Sequence, residues 1–357
     1  MSCATRIPCL DGLRGLAALG VMLFHFNLFF LPQAQLPFVD RAYLGVDLFF
    51  LLSGFVMAHA YGHLLASNWR GHWMQYGRAR FARIYPLFAL TTLTMVLMVT
   101  LSHMPLVMFS GRTLALQPVL LQQWASSLSW NYPSWSISTE AEAYVVFVFS
   151  AGALLAGKHP RLIAACCISV IAALSIARHG SLVTCFVGIS ALLRTLAEFS
   201  LGVLLYRAHS HPGGVLRKCA IILVIPLVGL TILTDLDFFT VGAFACLIYY
   251  CVSASDVFGR VLNSRPLVAL GNWSYGIYLW HAPTHYAVMA SFIAIGHPVG
   301  GLGQSSSRLL LFATAVLVVG LSALHYRYFE TPCRRLLLGR GLFSAAPASD
   351  RYTVRVN

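Results

Sequence analysis

Long apolar runs, separated by short stretches with Gly, Pro or charged residues, dominate the chain. A run of about 17–25 apolar residues can cross a bilayer as a helix. The pattern predicts about ten such helices, at residues 10–30, 43–61, 82–101, 135–156, 162–177, 182–206, 219–234, 238–254, 267–289 and 308–328. We therefore expect an all-α polytopic membrane helix bundle. Residues 1–340 form its single integral membrane domain and 341–357 a short tail.

Composition agrees with this class of protein. The chain is 58% hydrophobic and only 10% charged, whereas soluble domains carry about 25% charged residues. The net charge of +13 is explained by cations in cytoplasmic loops, because no basic stretch is interleaved with aromatic residues as nucleic-acid binding would require. With a cytoplasmic N-terminus, the cations left on the outer side are Arg41, Arg112, Arg178 and Arg308. This asymmetry predicts that both termini are cytoplasmic.

The first apolar run carries three ionisable groups, Asp11, Arg14 and His25. Such groups are rare inside a membrane and usually mark a functional site. Arg14 and His25 are eleven residues apart, so on a helix both lie on nearly the same face, about 16 Å apart along the axis. The alternative is a packed histidine with an arginine that extends to the inner headgroups. Asp11 would cap the helix or pair with Arg14.

Three other helices bring polar residues toward the depth of His25. Glu140 lies about 7 Å along the helix that WSISTE opens at Trp135. Asp47 enters its helix from the same side, and His281 approaches from the opposite side. Two histidines and two carboxylates are therefore predicted to converge, and a carboxylate beside an imidazole suits a general base. The alternatives are a helix cap for Asp47, a core histidine for His281 and a structural pair for Glu140.

Further polar groups lie closer to the inner side. Arg78, Arg80 and Arg83 form a cluster that suits phosphates, although membrane anchoring also explains it. Arg194 and Glu198 are spaced to neutralise each other on one helix. We interpret His59, His63 and His72 as interfacial side chains and predict no metal site.

Six stretches together give the chain a family likeness. They are IPCLDGLRGLAALGVMLFHF, LGVDLFFLLSGFVMAHAY, RARFARIYPLF, YPSWSISTEAEAY, LGNWSYGIYLWHAP and YFETPCRR, in order across almost the whole chain. In these stretches the chain resembles the acyltransferase 3 family of integral membrane O-acyltransferases. The family's arginine and histidine match Arg14 and His25, and its Trp-Ser-x-Ser-x-Glu acid matches Glu140.

The resemblance implies transfer of an acyl group, most often acetyl, from cytoplasmic acyl-coenzyme A to a sugar hydroxyl of a cell-surface or secreted glycan. It implies a bacterial cytoplasmic (inner) membrane and no permanently bound cofactor. The expected partners are acyl-coenzyme A, a glycan or glycolipid acceptor and membrane lipids. Some members carry a fused extracytoplasmic esterase-like domain, and a relay to such a domain would here need a separate partner, either an extracytoplasmic transferase or a glycan-assembly protein.

Residues and resemblance together predict a two-ended site. Its catalytic residues are His25, as general base or as an acyl carrier, and Glu140, which orients it; Arg14, Arg78, Arg80 and Arg83 bind the donor. The supporting residues are Asp11, Asp47, Ser53, Trp135, Ser136 and His281. A transporter that uses its buried His and Glu for protons or substrate is the alternative function, and a membrane-embedded scaffold is a third. Acceptor choice is expected to depend on loops 102–134 and 290–307.

Overall fold

The computed structural model describes residues 6–32, 34, 36–102, 110–125, 128–210, 214–252, 254, 256–296 and 299–345. These residues form helices and connecting turns, with no strand among them. The main helices are α1 (Pro8–Phe30), α2 (Gly45–Leu101), α3 (Trp135–Ala156), α4 (Pro160–Ala177), α5 (Gly188–His209), α6 (Gly214–Thr234), α7 (Phe238–Cys251), α8 (Arg265–Ala294), α9 (Gln304–His325) and α10 (Thr331–Ala345). The predicted all-α helix bundle is confirmed.

Every predicted span falls on a helix, and six helical segments of the described chain are long and apolar enough to cross a membrane. They are Pro8–Phe30, Ala42–Leu101, Tyr132–Ala156, Pro160–Ala177, Gly188–His209 and Gln304–Gly339, beside the shorter apolar helices Ala220–Thr234 and Phe238–Cys251. The polytopic membrane character follows from these segments. The division into a domain at 1–340 and a tail at 341–357 stays a prediction, because residues 346–357 lie outside the described part.

Two boundaries differ from the prediction. The predicted second and third spans are the halves of one helix, α2, which bends at Asn68 (φ −155°, ψ 78°). The rings of Tyr61 and Tyr76 lie 5.2 Å apart, whereas 15 residues of straight helix would separate them by about 22 Å. The halves therefore fold back on each other. The predicted sixth span begins at Gly188 rather than at residue 182, because Arg194 binds the carbonyls of Leu182 and Cys185 and holds that segment as a loop.

Helices α1 and α8 run parallel and in contact, and they bring the polar positions of both helices together. A Cβ atom at Gly15 would lie 2.8 Å from the Gly271 nitrogen, so only glycine permits this approach. Ten residues further along each helix, the rings of His25 and His281 are 5.0 Å apart. The alignment of α1 with α8 at Gly15 and Gly271 is therefore kept at His25 and His281.

Candidate active site

A pocket between α1, α2, α3 and α8 contains many of the predicted site residues. The space between its lining residues, together with the adjoining open solvent, is about 1460 Å³. The arginines that line it are Arg6, Arg14, Arg80, Arg83 and Arg334, and the carboxylates are Asp11 and Glu140. Because guanidinium groups match the geometry of phosphate oxygens, this excess of arginine suits a phosphorylated ligand.

Arg14 is the pocket arginine that has no hydrogen-bond or ion-pair partner within the described residues. Asp11, which was expected to cap the helix or to pair with Arg14, binds Arg6 instead, with Nε 2.5 Å from Oδ2. Arg6 also donates to the side-chain oxygen of Asn272 at 2.5 Å. Arg6 precedes α1 and folds over its first turn, where it reaches Asp11 before Arg14 does. Arg14 is therefore left facing the pocket with its charge available.

The predicted cluster on α2 divides between the pocket and the outside. Arg80 lines the pocket and lies 5.3 Å from the ring centre of Tyr61. Arg83 also lines it, forms an ion pair with Glu330 and lies over the ring of Tyr275. Arg78 is exposed and is not part of the lining. Two of the three arginines can therefore meet a ligand in this pocket.

Glu140 forms a small hydrogen-bonded cluster at the middle of the pocket. Its Oε1 accepts from the Ser53 hydroxyl at 2.5 Å and from the Tyr144 hydroxyl at 2.7 Å. The two hydroxyls lie 2.8 Å apart. All three residues line the pocket. Glu140 thus presents its second carboxylate oxygen as an acceptor for a ligand donor group.

His25 and His281 form a stacked pair, with ring centres 5.0 Å apart and planes at 25°. The His25 Nδ1 lies 2.9 Å from the Val21 carbonyl oxygen. A carbonyl only accepts, so this bond places the proton on Nδ1 and leaves the Nε2 lone pair available. That tautomer is the one a general base requires at Nε2.

Ser136 and Tyr278 lie between the histidine pair and the arginine pocket. Their hydroxyls are 2.7 Å apart, and the Tyr278 hydroxyl donates to the Pro133 carbonyl at 2.9 Å. Both residues line the pocket, and the Tyr278 ring centre is 5.9 Å from that of His281. The Tyr278 ring therefore separates the end of the pocket from the two histidines.

Glu140 does not lie at the depth of the histidines. Tyr132, which precedes α3, already contacts the His25 ring at 4.9 Å between centres. Glu140 lies five residues beyond Trp135, about 7 Å further toward the arginines. The hydrogen-bond partners of Glu140 in the described chain are Ser53 and Tyr144 rather than His25. Its depth was misjudged because the segment before α3 itself enters the bundle.

Asp47 belongs to a buried ion cluster behind the pocket. Its two oxygens accept from the Nε and Nη2 of Arg194 at 2.8 and 2.6 Å. The expected pair of Arg194 with Glu198 is present at 3.9 Å but is secondary, because Asp47 matches both guanidinium nitrogens. Arg194 also lies over the Trp135 ring, 5.7 Å from its centre. This cluster joins α2 and α5 to the start of α3.

Several pocket residues were not singled out by the sequence. They are Arg6, Arg334, Asn272, Tyr144 and Tyr275. Arg334 stands in the YFETPCRR stretch, where it looks like one more cation of a cytoplasmic end. Tyr144 follows Glu140 by four residues, a spacing at which helical side chains meet, and this was the signal available. The remaining residues have no local signal, because only the folding of separate helices brings them together.

Comparison with known proteins matches most of the chain to acyltransferases. A family model described as an acyltransferase domain matches residues 7–327. The chain is 25% identical over 372 residues to "O-acetyltransferase OatA" of Staphylococcus aureus, with 92% of this chain and 57% of that protein covered. No solved structure matches.

Two further relatives extend this picture. "Putative peptidoglycan O-acetyltransferase YrhL" of Bacillus subtilis is 24% identical over 383 residues, which cover 92% of this chain and 55% of that protein. "Protein 2 in picA locus" of Rhizobium radiobacter is 46% identical over 87 residues, or 24% of this chain and 41% of that protein. The chain spans about half the length of the two O-acetyltransferases it matches.

Proposed function

The chain belongs to the acyltransferase 3 family, and we propose that it transfers an acetyl group from acetyl-coenzyme A to a sugar hydroxyl of a cell-surface glycan. The observation that carries the proposal is the arginine-lined pocket. The Tyr278 ring, which lines the pocket, separates its end from the His25–His281 pair. The relatives named as O-acetyltransferases support an ester-forming acetyl transfer, and peptidoglycan in one of those names supports a glycan acceptor.

The arginine end of the pocket is the proposed site of the donor's phosphates. Arg14 would provide a charge that has no ion-pair partner among the described residues, and Arg80 and Arg83 would complete the cradle. Arg78 is outside the lining, so we exclude it from this set. The cations of the loops at the same end support a cytoplasmic position for this site, where coenzyme A is available.

The pantetheine arm is proposed to pass Glu140. The carboxylate is held by Ser53 and Tyr144 through one oxygen, so the other can accept from an amide N–H of the arm. This assignment differs from the sequence-based expectation that Glu140 orients His25. It follows from the hydrogen bonds that Glu140 makes.

His25 is the proposed general base. Its Nε2 takes the proton of the acceptor hydroxyl, and the hydroxyl oxygen attacks the thioester carbonyl carbon. The carbon–sulfur bond then breaks, and the proton on His25 passes to the leaving thiolate. The products are the acetyl ester and free coenzyme A. Such catalysis typically contributes about 10²–10⁴-fold.

Transfer by purified protein tests the proposal. The protein in lipid nanodiscs is mixed with radiolabelled acetyl-coenzyme A and the envelope glycan from a strain that lacks this gene. We expect alkali-labile label on the glycan. We also expect Arg14→Gln to raise the KM for acetyl-coenzyme A about tenfold or more, because an ionic hydrogen bond contributes about 1.5–3 kcal/mol.

Arg78→Gln is the matched control, since this arginine is on the neighbouring α2 face outside the pocket. It should leave the KM unchanged. Absence of donor-dependent transfer by the wild-type protein, or substrate flux that needs no acyl donor, would refute the enzyme assignment. If Arg14→Gln and Arg78→Gln changed the KM equally, the proposed role of Arg14 would be refuted, whereas the enzyme assignment would stand.

A further inference from the structure

Three buried polar atoms around His25 have no hydrogen-bond partner in the described part of the chain. They are the Tyr132 hydroxyl, the Nε2 of His281 and the Nε2 of His285. His281 is fully buried and His285 is 7% exposed. A buried polar atom without a partner costs about 1–3 kcal/mol, so three in one cluster indicate a site that a polar ligand completes.

The cluster continues beyond His25, away from the arginine pocket. His285 follows His281 by one helical turn, and its ring stacks on Phe29 with centres 4.0 Å apart. Phe29 follows His25 by one turn, and the Tyr132 ring is 6.0 Å from it. Tyr132, in turn, lies 4.9 Å from His25 and 5.5 Å from His281. The five rings thus form one continuous cluster around His25.

This end of the cluster reaches the protein surface at Phe29. Phe29 is 38% exposed and lies in the last turn of α1, which ends at Phe30. The arginine pocket stops at Ser136 and Tyr278, on the other side of the histidine pair. A ligand that arrives at the Phe29 end therefore meets His25 from the side opposite to the donor.

We propose that Phe29, Tyr132 and His285 form the subsite that binds the sugar ring of the acceptor, with His281 beside the reacting hydroxyl. This inference rests on the proposed function and specifies where its second substrate binds. A sugar carries hydroxyls that both donate and accept, which can satisfy the two Nε2 atoms and the Tyr132 hydroxyl together. Its C–H face is apolar and packs on an aromatic ring such as Phe29.

The geometry also indicates which groups would donate and which would accept in the hydrogen bonds to the sugar. His281 Nδ1 lies 3.3 Å from the Ile277 carbonyl, so that nitrogen carries the proton and Nε2 accepts from a sugar hydroxyl. The Tyr132 hydroxyl can donate to a second sugar oxygen. A neighbouring hydroxyl of the same sugar, which is not used in these bonds, would keep its proton for the Nε2 of His25, the proposed base.

Three substitutions test the subsite with little change in shape. Tyr132→Phe removes one hydroxyl and keeps the ring; His285→Phe removes the nitrogen and keeps the stacking; Phe29→Ala removes the platform. The full-length protein in nanodiscs is assayed with acetyl-coenzyme A and the envelope glycan of the deletion strain. We expect the KM for the glycan to rise about two- to tenfold for Tyr132→Phe and for His285→Phe. It should rise at least as much for Phe29→Ala. The KM for acetyl-coenzyme A should stay unchanged.

Tyr286→Phe and His325→Phe are the controls, because they remove a hydroxyl and an imidazole from outside the cluster. If the cluster only holds water, all glycan KM values stay at the wild-type level and the inference is overturned. A purely structural role is also a refutation, and it would lower kcat and thermal stability without changing the glycan KM. Wild-type protein that does not acetylate the glycan would instead refute the proposed function itself.

Discussion

Glu140 accepts two hydrogen bonds on one carboxylate oxygen, and this arrangement decides what the residue can do in the pocket. Ser53 and Tyr144 fix that oxygen at 2.5 and 2.7 Å. A carboxylate that was to orient His25 would need an imidazole nitrogen within reach, but the Nδ1 of His25 is occupied by the Val21 carbonyl. The proposal therefore gives Glu140 a binding role rather than an orienting one.

The Glu140→Gln variant distinguishes these two roles. A neutral amide weakens a bond to a donor N–H, so we expect the KM for acetyl-coenzyme A to rise about tenfold while kcat changes little. Glu142→Gln is the matched control, because Glu142 lies on the same helix and binds Gln123 and Trp124 instead. Steady-state kinetics check the split. A fall in kcat with an unchanged KM would restore the orienting role.

Single residues were predictable where their chemistry conflicts with a membrane environment. Arg14 and His25 stand out in an apolar run, and their shared face follows from helical geometry alone. Tyr132 and His285 were missed, because a tyrosine near a predicted loop and a histidine near a helix end look interfacial. Their importance depends on unpaired atoms, which only the folded arrangement shows.

At the scale of elements, a buried ion cluster connects three helices behind the pocket. Arg194 of α5 is 1% exposed and binds Asp47 of α2 through two nitrogens. It also lies over Trp135 at the start of α3, while Thr195 donates to Thr139 at 2.8 Å. These contacts fix the helix that carries Glu140, although none of them lines the pocket.

The Asp47→Asn variant should therefore destabilise the protein strongly. Removal of one partner of a buried pair leaves an uncompensated charge and costs about 3–5 kcal/mol. We expect a clear fall in the thermal unfolding midpoint in detergent, together with lost activity. Asp235→Asn is the control, since the Asp235 side chain is 78% exposed in its ion pair with Arg41 and such surface pairs contribute at most about 1 kcal/mol. Equal midpoints for both variants would contradict this account.

The presence of helices was predictable, but their pairing was not. Apolar runs of sufficient length fixed where the spans lie. The charged stretch between the predicted second and third spans suggested a loop, whereas it continues as helix on either side of Asn68. The contact of α1 with α8 depends on Gly15 and Gly271, and a glycine has no feature in the sequence that identifies which helix approaches it.

For the whole molecule, the proposal requires the donor and acceptor ends to face opposite sides of the membrane. The arginine pocket and the Phe29 end lie at opposite ends of α1. The positive-inside rule predicts that the pocket end faces the cytoplasm. Catalysis across the bundle would then join a cytoplasmic donor to an external glycan without moving the whole donor across.

Protease accessibility of epitope tags checks this orientation. Tags are placed at the N-terminus, after Asn357, and between Ser110 and Gly111, where Gly111 is exposed. In intact spheroplasts we expect cleavage of the internal tag and protection of both terminal tags, with all three cleaved after lysis. Cleavage of a terminal tag before lysis would contradict the orientation.

The central claim is that His25 is the base in acetyl transfer, and single-turnover transfer by His25→Gln tests it most directly. The matched control is His325→Gln. The Nδ1 of His325 lies 3.0 Å from a backbone carbonyl oxygen, as that of His25 does at 2.9 Å, but His325 is outside the cluster. We predict that His25→Gln binds acetyl-coenzyme A normally and transfers acetyl to the glycan about 10²–10⁴-fold more slowly than the wild type, while His325→Gln retains its rate. Transfer by His25→Gln at the wild-type rate would contradict the account.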